Sequence, residues 1–277
     1  MQHKNTSIKT PLLDLIMKWC TRILISTIWG SATLFGLYII AFYFIALIKG
    51  NTEDWNQVLP GLFNHKTQTA TIGIGIHFAA GGIILILGCI QLIDKIRLKY
   101  PFLHKWLGRV YVLAALATAI GGLVFIFIKG TIGGIIMDIG FTGYGILTLI
   151  SALNTIRFAY SKKLKQHRTW AIRLFVLAIG SWLYRMDYGF WFLFTDGLGH
   201  TNNFDGPFDN FMAFFFYIPN LLIAEIFIGR YDIMKTKTAK RIAIFIIFMT
   251  TIFILLATYF FTKRIWGPPI IKLLTIS

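Results

Sequence analysis

With 277 residues, 56% of them hydrophobic and only 14% charged, at a mean hydropathy of +0.69, the chain is too apolar for a soluble domain, in which about a quarter of residues are charged. A net charge of +16 in a soluble protein would suggest nucleic acid, but here the basic residues follow the pattern of membrane topology, which excludes that partner. No phosphate-binding glycine loop, Ser/His/Asp arrangement or HExxH motif occurs, so hydrolase chemistry has no support.

Apolar runs near the ~20 residues needed to cross ~30 Å of hydrocarbon predict seven spans, at about 20–48, 71–93, 107–128, 132–156, 170–194, 210–229 and 242–262. The expected fold is therefore all-α, a seven-helix integral membrane bundle forming one domain over 1–277. Residues 1–19 are polar, and the apolar run after them is too long for a signal-peptide core, so the first span is expected to stay. Cys20 and Cys89 fall near the inner ends of their spans, where thiols stay reduced, and they lack CxxC spacing.

In the second span His77 has Gly73 and Gly81 at i−4 and i+4, with Gly88 near the same line. Bare backbone around an imidazole suits either a flat ligand such as a porphyrin or a close helix contact. Ahead of the third and fifth spans the chain nearly repeats itself, as "HKWLGRVY" from His104 and "HRTWAIRLF" from His167. Trp106 with Arg109, and Trp170 with Arg173, are three apart and so neighbours on a helix surface, where indole and guanidinium stack as interface anchors. The tetrads are 64 residues apart, about two spans with their connections, which suggests a parallel hairpin repeat of helices two–three and four–five.

Ionisable groups inside a span are costly unless paired or placed in a cavity. Arg185 in the fifth span is expected to pair with Asp138 of the fourth or with nearby Asp187, and Glu225 of the sixth with Arg109 or Arg173. Asp196, His200, Asp205 and Asp209 gather in the loop "DGLGHTNNFDGPFD", a composition that suits either a divalent cation or ordinary turn chemistry. Pro219-Asn220 is the one hint of a broken helix.

Placing the N-terminus in the cytoplasm puts 20 of the 27 basic residues inside and seven of the eleven acids outside. The C-terminus and the loops near 49–70 and 195–209 are then outside, the bundle sits in the cytoplasmic (inner) membrane, and the inner basic rim lies against anionic headgroups.

The segments "GGIILILGCIQL", "RLKYPFLHKWLGRVYVLAALATAIGGL" and "QHRTWAIRLFVLAIGSWLYR" resemble an uncharacterised bacterial family of multi-helix membrane proteins, domain of unknown function 2306. The resemblance covers helices two to five and implies a membrane bundle, with no chemistry attached. The histidines supply the leading functional expectation: a b-type haem or other redox cofactor held among His77, His104 and His167 for electron transfer. The alternatives are a small-molecule or lipid carrier using Asp138, Arg185 and Glu225 as charge partners, and a structural partner within a membrane complex.

Overall fold

The structure is a computed structural model that describes residues 11–57, 61–229 and 236–275. Lys4, Lys9, Arg230 and Lys235, all counted above on the inner side, lie outside the described residues. Helices occupy nearly everything else: α1 (Pro11–Ile48), α2 (Gln68–Gln91), the short α3 (Asp94–Lys99), α4 (Pro101–Lys129), α5 (Gly134–Tyr160), α6 (Leu164–Ala178), α7 (Gly180–Thr195), α8 (Pro207–Phe215), α9 (Ile218–Gly229), α10 (Lys237–Phe261) and α11 (Gly267–Leu274). Among the described residues, five stretches are long and apolar enough to cross a membrane: Leu12–Ile48, His65–Gln91, Pro101–Lys129, Gly134–Tyr160 and Lys237–Leu274. The two remaining expected spans, 170–194 and 210–229, are each made of two shorter helices, α6 with α7 and α8 with α9.

Local chemistry sets the boundaries. Pro101 opens α4, where a missing N–H costs nothing, and Gly130 closes it at φ +80°. Helix α1 starts nine residues before the expected span, because a hydrogen-bond ladder does not stop where hydropathy falls; Asp14 in this extension is ion-paired with Lys240 of α10. At the other end of the chain, α10 runs into a π-turn at Thr262–Trp266 before Pro268 and Pro269 restart the ladder as α11. The extra residue of that turn swings Trp266 into the core, 1% exposed, against Phe35 at 5.4 Å and Phe261 at 5.2 Å.

Glycines let the central helices touch. A Cβ on Gly121 of α4 would clash with the Gly73 carbonyl of α2, and one on Gly36 of α1 would meet the Gly82 carbonyl of α2 at 2.9 Å. Helix α2 is thus clasped between α1 and α4, while α5 packs on α4 and α6, and α1 on α10. One end of the bundle carries the 49–67 and 196–206 loops, here the loop end; the opposite, basic end carries α3 and the starts of α4 and α6.

Candidate functional site

The two interrupted helices meet. Between α6 and α7 the interruption is confined to Ile179, which still donates to the Phe175 carbonyl at 3.1 Å and accepts from the Leu183 N–H at 3.0 Å, beside the Gly180–Ser181 pair, a combination that favours kinks. Between α8 and α9 it falls at Phe216–Tyr217, because Pro219 has no N–H to continue the ladder and its ring would strike the carbonyl four residues back. Asn220 donates its side-chain amide to the Phe216 carbonyl at 2.7 Å, re-satisfying the backbone there. A Cβ on Gly180 would lie 3.4 Å from both the ring and the carbonyl oxygen of Phe216 and 3.5 Å from the Tyr144 ring, so the breaks are in direct contact beside α5. The Tyr144 hydroxyl donates to the Leu177 carbonyl at 2.7 Å, in the last turn before the first break.

Arg185 stands one turn into α7 from this junction. Its guanidinium donates to the Ser181 carbonyl at 3.2 Å and lies over the rings of Phe35 at 5.4 Å and Tyr184 at 6.0 Å. Tyr38 stacks on Phe35 at 6.0 Å, and Tyr43 of the same helix stacks on Phe78 of α2 at 4.0 Å. His77 and Tyr144 are nine and ten residues along α2 and α5, or roughly 15 Å from the loop end of each helix at 1.5 Å per residue. The expected carboxylate partner is not there. Asp138 turns to the 130–133 connection, accepting from the Thr131 N–H at 2.6 Å, and among the described residues no carboxylate makes an ion pair with Arg185. Asp187, two positions along, projects from another face of α7 by helical geometry.

The histidines occupy two levels. His77 donates Nδ1–H to the Thr118 carbonyl at 2.8 Å and packs on Gly122, where a Cβ would come within 2.8 Å of that nitrogen. The glycine face around it is filled: Gly73 by the α4 backbone at Gly121 and by Val124, Gly88 by the rings of Phe175 and Tyr111. At the basic end His167 donates Nδ1–H to the Thr155 carbonyl at 2.9 Å. His104 opens α4 at the same end, and among the described residues its Nδ1 is buried without a partner, as are Gln91 Nε2 and the Tyr111 hydroxyl. In both His77 and His167 the bond to a carbonyl fixes the tautomer and leaves Nε2 as the free lone pair.

The tetrads open α4 and α6 at the same end, and they differ. Arg173 lies 4.4 Å over Trp170 and also forks onto Glu225 of α9, Nε to Oε1 at 2.5 Å and a terminal nitrogen to Oε2 at 2.9 Å. Of the two candidate partners, Glu225 takes Arg173. Trp106 is 53% exposed, and among the described residues neither it nor Arg109 has a stacking or ionic partner.

In the 196–206 loop the acids serve structure. Asp209, 0% exposed, accepts from the Tyr188 hydroxyl and from His200 Nδ1, both at 2.7 Å, and from the backbone N–H of Thr201 at 3.0 Å and Gly206 at 3.1 Å. Burial works against its charge, but the donors from His200, Tyr188 and Thr201 outweigh burial and hold the carboxyl below the usual range. Asp205 is engaged with Thr201, and among the described residues no cluster of three His, Cys, Asp or Glu side chains could hold a metal ion. The site residues that sequence reasoning passed over are the tyrosines 38, 43, 144 and 184; their hydroxyls were the available signal, hidden in runs scored only as apolar.

Long apolar helices, close glycine contacts and a polar interior define a multi-pass membrane protein. The chain belongs to the DUF2306 family of predicted membrane proteins, whose model matches residues 74–228, more than half its length. That region runs from α2 to the last turn of α9 and includes both helix breaks and Arg185. No curated protein and no solved structure matches the chain.

Proposed function

We propose that this protein is a cytoplasmic-membrane carrier or binding protein for a small organic anion, held at Arg185. Contact between the α6–α7 and α8–α9 junctions beside a cation that has no carboxylate partner among the described residues carries this reading. Transporters place their substrate sites where interrupted helices meet in the membrane interior, and a guanidinium at that depth favours an anionic ligand. The rings of Phe35 and Tyr184 at the guanidinium, with Tyr38 stacked on Phe35 and Tyr144 at the junction, favour a planar or aromatic carboxylate. In this reading α6–α7 and α8–α9 are the fifth and sixth of seven crossings, the N-terminus and basic end are cytoplasmic and the C-terminus is outside. The tetrads at the starts of α4 and α6 then mark a parallel hairpin repeat. The test is thermal unfolding of detergent-purified protein with benzoate, acetate or inorganic phosphate. Benzoate is expected to raise Tm in the wild type and to have no effect on Arg185→Gln. Absence of any shift, or a shift surviving in Arg185→Gln, overturns it.

A second reading rests on a separate observation, the fixed tautomers of His77 and His167 and the placing of His104 at the same end of the bundle as His167. Free Nε2 lone pairs on histidines anchored through Nδ1–H suit iron ligation. A b-type haem at the basic end would use His104 and His167, and protein expressed with ample haem would carry a Soret band that His167→Ala abolishes. Colourless protein ends this reading and leaves the first untouched.

A further inference from the structure

Away from Arg185, on the outside of the bundle, a groove of about 490 Å3 runs between α1 and α10, lined by Trp19, Arg22, Ser26, Gly30 and Leu34 with Leu255 opposite. From Arg22 to Leu34 the helix rises roughly 18 Å, about the hydrocarbon depth of one leaflet. Its charged end is prepared: the Arg22 guanidinium lies 5.1 Å over the Trp19 ring, the arrangement favoured at headgroup level. Asp14, two turns back, is taken by Lys240, and among the described residues no carboxylate neutralises Arg22. The polar floor makes no demand on a ligand, since the Ser31 hydroxyl already accepts from Trp182 at 3.0 Å and from Thr258 at 2.6 Å. The middle of the groove is open, for a Cβ on Gly30 would meet nothing within 4 Å.

We infer that this groove binds one anionic phospholipid, its phosphate on Arg22 with the Ser26 hydroxyl alongside, and one acyl chain lying past Gly30 to Leu34 and Leu255. A charge at one end and an apolar channel of leaflet depth behind it match a lipid better than a soluble anion, which has no use for the channel.

Native mass spectrometry of the full chain, exchanged into detergent with phosphatidylglycerol or phosphatidylcholine, tests this. Phosphatidylglycerol is expected to be retained at least tenfold better than phosphatidylcholine. Arg22→Gln should lose that preference, and Gly30→Leu, which fills the open space without touching backbone, should lose retention altogether while keeping the wild-type circular dichroism. Inorganic phosphate alone should not displace the lipid. Equal retention of the two lipids, wild-type retention in both variants, or displacement by inorganic phosphate each overturns the proposal.

Discussion

The Asp209 carboxylate and the Tyr188 hydroxyl meet at 2.7 Å in a fully buried hydrogen bond that ties the start of α8 to the last turns of α7. With His200 on the same oxygen and two backbone N–H groups on the other, one acid organises the whole 196–206 loop. Removing it strands several buried donors, each costing about 1–3 kcal/mol. Asp209→Ala is expected to destabilise by about 3–5 kcal/mol, the range for breaking a buried charged network, and Tyr188→Phe by about 1 kcal/mol, read from chemical unfolding in detergent.

The same carboxyl sets a pH dependence. Its pKa is lowered in the folded state, so its stabilisation is fully present above the unfolded value of about 3.9 and is lost as pH falls through the lower folded value. Tm plotted against pH should therefore drop below about pH 4 in the wild type, and Asp209→Asn should flatten this part of the curve. A wild-type slope that Asp209→Asn leaves unchanged would assign the acid sensitivity to another group.

The α2–α4 contact gives a steric prediction. Gly121→Ala drives a methyl group into the Gly73 carbonyl, a backbone atom that cannot swing away, so the helices must separate at a cost of about 1–3 kcal/mol. Gly81→Ala, on the same face of α2, meets only the Thr118 methyl at 3.9 Å and should be neutral or slightly stabilising. Comparing the two Tm values separates close packing from helix propensity.

The Arg173–Glu225 fork links α6 to α9, but Glu225 is 46% exposed, so screening limits its worth. Charge reversal at either position should cost about 1 kcal/mol or less, and the doubly swapped pair should recover most of it in a double-mutant cycle. Additive losses would show that the two side chains do not interact in the membrane.

Orientation is open to chemical labelling. With the N-terminus inside, an impermeant thiol reagent on intact cells should modify a cysteine substituted at Thr201 and spare one at Thr236. The opposite pattern would reverse the positive-inside assignment.

Composition and hydropathy determined the class of this protein, because crossing hydrocarbon requires an uninterrupted apolar length that any single segment displays by itself. Three-residue spacing made Trp170 and Arg173 neighbours, and they stack, but the same spacing leaves Trp106 and Arg109 without a stacking contact among the described residues, so helix geometry permits the pair and the surroundings decide it. Pro219 likewise marked a break in its own helix, a local effect of a missing N–H. The partner of each group across the bundle was decided only by tertiary structure. Asp138 and Arg185 looked like a pair from their similar depth, yet one closes the turn after α4 and the other lies over the rings of Phe35 and Tyr184. The glycine face of α2 pointed to a helix contact ahead of a ligand groove, and the approach of α4 at Gly73 made it a contact. Asp209 looked like one of three loop acids until folding placed four hydrogen-bond donors around it and buried it completely. Periodicity records which face of a helix is which; which face meets which neighbour depends on packing between segments far apart in the chain, and Phe35 reaches Arg185 only through such a contact.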